Sequence, residues 1–113
     1  MTPEYLELFV EQGEDFSANI SLIPLRNAGY NLHAFSAKSE IRRSFASENA
    51  SAEFIPEIYP ETNRMTISLD ACATENLSAG RYVYDIFLIS SETYKRIKIR
   101  DGLLFVEPSA TRL

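Results

Sequence analysis

Apolar side chains recur at every second position through most of this chain, in runs of about six to nine residues divided by turn-forming residues, which is the pattern of strands with one buried face. Leu6, Leu8 and Val10 alternate with Glu7, Phe9 and Glu11, and Phe16, Ala18, Ile20 and Leu22 alternate with Ser17, Asn19 and Ser21. Between them Gln12-Gly13-Glu14-Asp15 makes a turn in which Gly13 can take a positive φ. A third run spans Leu32 to Arg43, with the uncharged set Phe35, Ala37, Ser39 and Ile41 as its core side. Glu53 to Tyr59 and Met65 to Leu69 read as a hairpin around Pro60-Glu61-Thr62-Asn63, and Pro56 confines the first of these strands to an edge or bulge. Arg81 to Ser90 and Tyr94 to Arg100 follow, then a kink at Asp101-Gly102 and a last strand to Glu107.

Only Asp70 to Leu77 suggests a helix, one short turn with Asp70 as its cap. Seven or eight strands with almost no helix predict an all-β fold, an antiparallel β-sandwich formed by one domain over residues 1–113. Its expected core is Phe16, Ile20, Leu22, Ile41, Ile67, Leu69, Tyr82, Tyr84, Ile86 and Leu88. In Ala79-Gly80-Arg81-Tyr82-Val83-Tyr84, Gly80 and Tyr82 match the corner at which immunoglobulin-like domains open their sixth strand. There, a tyrosine hydroxyl bonds back to the preceding connection, here residues 76–80.

Composition narrows the functions. With 45% hydrophobic and 24% charged residues, neither disorder nor a coiled coil is expected. The longest apolar run, Ile86 to Ile89, is too short to cross a membrane. Thr2, Pro3, Glu4 and Glu7 stand where a secretion signal needs basic and apolar residues. A net charge of -5 opposes general nucleic-acid binding. One cysteine, Cys72, cannot form an internal disulfide or a cysteine-rich zinc site, and a histidine triad would have to be built around the one histidine, His33. Cys72 reads as a packed or half-buried thiol and His33 as a surface residue at a strand entrance. No glycine-rich phosphate loop or nucleophile elbow occurs, so neither catalytic residues, metal ligands nor cofactors are expected.

Charge placement says more. The first fifteen residues hold five acids and no base, whereas Lys95, Arg96, Lys98 and Arg100 crowd into one strand. In an immunoglobulin-like topology the outward row Val83, Phe87 and Ile89 is flanked by Lys38 and Arg42 on one side and by Arg96, Lys98 and Arg100 on the other. An apolar stripe with a basic rim is the composition of a protein interface.

In order along the chain, Gln12-Gly13, Asp15-Phe16, Gly29-Tyr30, Lys38 to Ser44 with Ile41-Arg42-Arg43-Ser44, Leu77 to Asp85, Asp101-Gly102 and Val106 to Pro108 resemble a family of small virion structural proteins. These belong to tailed bacteriophages, especially contractile-tailed phages of cyanobacteria. The Ala79 to Asp85 segment is the most distinctive. The resemblance implies a non-enzymatic immunoglobulin-like sandwich, made in the host cytoplasm and incorporated into the virion as a tail, baseplate, neck or capsid-surface component. It also implies contacts with other virion proteins and multiple or homo-oligomeric copies, without direct contact to nucleic acid or membrane. The chain departs from that family between Ile23 and Ala34, where an acidic hairpin is lacking and Leu32-His33-Ala34 reads as an insertion. The alternative is a carbohydrate- or host-surface-binding module using the loop aromatics Tyr30 and Tyr59.

Overall fold

The computed structural model describes residues 3–111, which form two facing β-sheets. The larger sheet contains β1 (Glu4–Tyr5) and β2 (Leu8–Glu11) end to end along β10 (Arg96–Glu107). Next to β10 lies β9 (Gly80–Ser90), and beyond it β4 (Phe35–Lys38) and β5 (Glu40–Arg42), with β6 (Ala52–Glu53) at the far edge. The smaller sheet is antiparallel, in the order β3 (Phe16–Ser21), β8 (Arg64–Leu69), β7 (Ile55–Tyr59).

The all-β expectation holds, but the larger sheet is mixed and not purely antiparallel. β1 and β2 run parallel to β10. The physical reason is the exit from β2: the turn through Gly13, at φ 83°, sends the chain across to the other sheet as β3, so the first strand makes no hairpin and pairs with the far end of the chain. That turn is held by the short helix α2 (Ala71–Asn76). The Gly13 N–H donates to the buried Thr74 Oγ1 at 3.0 Å, and the Ala71 N–H donates to the Asp15 carboxylate at 2.7 Å. Asp70 caps the helix as expected, accepting from the Ala73 N–H at 2.7 Å.

Nine of the ten expected core residues are buried, and Phe16 is half-buried against Phe54 at 5.9 Å. Alternation explains this, because each strand has only one face to hide. Phe54 closes the middle of the core, its ring edge-on to Tyr84 at 5.7 Å. The Tyr82 hydroxyl donates to the Ser78 carbonyl at 2.7 Å, so the expected corner bond is present.

Several local readings change. The run from Leu32 opens with a 3₁₀ turn, Leu32–Ala34, before β4, and His33 is exposed on it. β4 and β5 keep one register against β9 across Ser39, whose hydroxyl donates to the Asp85 carbonyl at 2.6 Å. Helix α1 (Ile23–Asn27), with Pro24 in its first turn and Leu25 buried, follows β3 where the sequence suggested no helix. Cys72 is exposed, not packed, because α2 turns Thr74 inward and leaves the thiol on its outer side. Gly102 is no kink but an interior residue of the continuous β10.

Candidate interaction surface

The outer face of the larger sheet carries the row expected from the sequence. Val83, Phe87 and Ile89 point outward from β9 and are half-buried, in alternation with the fully covered Tyr84, Ile86 and Leu88. Register sets their neighbours: Lys38 and Lys98 stand opposite Phe87 on either side, Arg96 opposite Ile89, and Arg42 opposite Val83. All of these side chains except Lys98, together with Phe45, line an open groove of about 500 Å³, as do Glu40, Tyr84 and Asp85. Phe45 comes from the Ser44 to Ala52 loop and is 65% exposed.

Five of the six expected interface residues, Val83, Phe87, Ile89, Arg96 and Lys98, therefore share one face, and the sixth does not. Arg100 is a correction: it is 7% exposed and points inward. The cause is a β-bulge between Lys98 and Arg100. Lys98 pairs with Phe87, Arg100 pairs with Ile86, and the extra residue Ile99 reverses the alternation. Arg100 instead meets Glu4 at 3.2 Å and ties β1 to the sheet.

The rim is also less basic than its composition suggests. Lys98 lies 3.9 Å from Asp85 and 3.7 Å from Asp101, and Arg42 pairs with Glu40 at 3.1 Å while donating to the Ser47 carbonyl at 3.0 Å. Burial raises the Asp85 pKa, opposed in part by Lys98. Lys38 and Arg96 have no ion pair among the described residues, so the net positive charge of the rim resides there.

The chain resembles solved structures at the level of fold. No protein-family model matches it, and no curated protein is similar to it. InlP of Listeria monocytogenes superposes with a TM-score of 0.57 over 92% of this chain, at 19% identity. The chain spans about a quarter of that protein, 26% of its length. At this identity the likeness shows the fold alone.

Two aromatic contributions escaped the sequence reading. Phe45 stands alone among the small and polar residues of the Ser44 to Ala52 loop, outside any strand alternation. Phe9 was assigned to a polar face, yet it is 62% exposed and stacks on Phe105 at 5.1 Å, extending the apolar band across β10 to the sheet edge. Leu103, opposite Val83, bridges the two parts.

Proposed function

We propose that this chain is a non-enzymatic structural module, an immunoglobulin-like sandwich that docks against another virion subunit through the outer face of its larger sheet. The groove carries this reading: Val83, Phe87 and Ile89 form an apolar floor beside an exposed Phe45, where a solvated strand face would alternate to polar residues. The unpaired cations Lys38 and Arg96 favour an acidic partner surface. The phage assignment, including residence in the virion, rests on the ordered motifs from Gln12-Gly13 to Val106–Pro108. The immunoglobulin-like topology is supported by the Tyr82 corner and by a first strand parallel to the last.

The carbohydrate-binding alternative needs free loop aromatics. Tyr30 packs on Phe35 at 5.8 Å, and the Arg64 guanidinium covers Tyr59 at 4.1 Å, so both rings are already engaged.

The test is Phe87→Asp in the assembling phage. Incorporation into particles should be lost, while the purified variant keeps a denaturant midpoint close to that of the parent. Normal incorporation of the folded variant would overturn the groove as the docking surface.

A further inference from the structure

Among the described residues five edges are paired on one side only: β1 with β2, β4, β6, β3 and β7. An open edge recruits further strands, and proteins blunt such edges with charge, proline or brevity. Four of these are blunted. Glu4, Glu7 and Glu11 line the first, β4 has four residues and ends in Lys38, β6 has only two residues including Glu53, and β7 carries Pro56 and Glu57. β3, Phe-Ser-Ala-Asn-Ile-Ser, has no charge and no proline, and keeps unbroken register with β8.

Hydrogen-bond phase shows which backbone groups this edge offers. The Leu22 N–H donates to the Asn63 carbonyl at 2.7 Å, one step beyond the Ser21–Arg64 pair. Backbone groups alternate sides along a strand, so Phe16, Ala18 and Ile20 also address β8, and Ser17, Asn19 and Ser21 direct theirs outward. The side chains of those three are exposed, and β3 has no strand partner among the described residues other than β8.

We propose that β3 is a self-pairing edge, along which two copies of this chain join antiparallel about a two-fold axis through Asn19. A two-fold perpendicular to the sheet keeps both inner faces on one side and places residues of like parity opposite each other. Pairing Ser17 with the second copy's Ser21, and Asn19 with its own counterpart, matches every outward N–H and C=O over the full strand. Charge favours a second copy as the occupant. Glu14 and Asp15 precede β3, whereas Arg64 stands beside Ser21 and Arg26 follows in α1, so antiparallel pairing sets each acidic end on the other copy's basic end. Such a contact is isologous and stops at two copies. It lies on the sheet opposite the groove and does not depend on the groove reading.

Sedimentation velocity over micromolar to millimolar concentrations tests it. The parent chain should show a concentration-dependent dimer. Asn19→Lys should be monomeric, since like charges meet at the axis and the Arg64 guanidinium, which donates to the Asn19 Oδ1 at 3.3 Å, adds to them; Asn19→Asp, which Arg64 neutralises in part, should weaken the dimer less, and an equal mixture of the two should recover it. A parent that stays monomeric throughout, or a dimer that survives both substitutions, overturns the proposal. Amide exchange on the parent provides a check without any variant: protection at Ser17, Asn19 and Ser21 should rise with concentration. Uniform or absent change there also overturns it.

Discussion

The Asp85 carboxylate sits midway along an otherwise apolar row, and burial there works against its charge more than Lys98 favours it. Its pKa in the folded chain therefore lies above the ordinary 3.8. The folded state holds the proton more tightly than the unfolded state, so the cost of the charge is complete at neutral pH and disappears as pH falls through the raised value. Asp85→Asn should then raise the denaturant midpoint at pH 7, since Lys98 keeps Asp101 as a partner. The advantage over the parent should shrink on acidification and vanish below the ordinary value. A variant less stable than its parent at pH 7 would mean that the Lys98 pair outweighs desolvation.

At the scale of the element, the N-terminal strand is held by contacts far away in the chain. Between β1 and β2, Leu6 crosses over Gly102: its N–H donates to the Asp101 carbonyl at 3.0 Å, and its own carbonyl accepts from the Tyr84 hydroxyl at 2.8 Å. A Cβ on Gly102 would collide with the Leu6 carbonyl, so the glycine is required by this close approach and not by a turn. Gly102→Ala should cost about 1–3 kcal/mol, as overpacking does, and should raise amide exchange in residues 4–11 before it affects β8. Unchanged exchange there would show that the crossing can move aside.

This element also marks how far the sequence could be read. Period-two alternation exposed nearly every strand and its inner face, because burial of one face is a local property of the side chains. The parallel partnership of β2 with β10 was not legible, since it depends on where the Gly13 turn sends the chain. Nor was the bulge at Ile99 legible, because Arg96, Lys98 and Arg100 alternate as an unbroken strand would. The same bulge decides the one misplaced site residue, Arg100, while Phe87 and its neighbours follow from the regular part of β9.

Over the whole molecule, Tyr84 is where the parts meet. It pairs with Ile41 and Gly102 within the larger sheet, its ring packs edge-on to Phe54 in the core between the sheets, and its hydroxyl holds the Leu6 crossing. Burial pushes its pKa up to about 12, so the hydroxyl remains a donor across the neutral range. Two truncations separate these roles. Tyr84→Phe removes only the hydroxyl and should cost about 0.5–1.5 kcal/mol, felt chiefly at the first strand. Tyr84→Ala also empties the space between the sheets and should cost about 3–5 kcal/mol, a large share of the roughly 5–15 kcal/mol that holds a domain together. If the sheets unfold as one unit, amide exchange at Ile67 in β8 and Leu104 in β10 should accelerate by the same factor in Tyr84→Ala. A loss confined to Leu104 would mean that the smaller sheet keeps its stability alone and that the shared core does not couple the two.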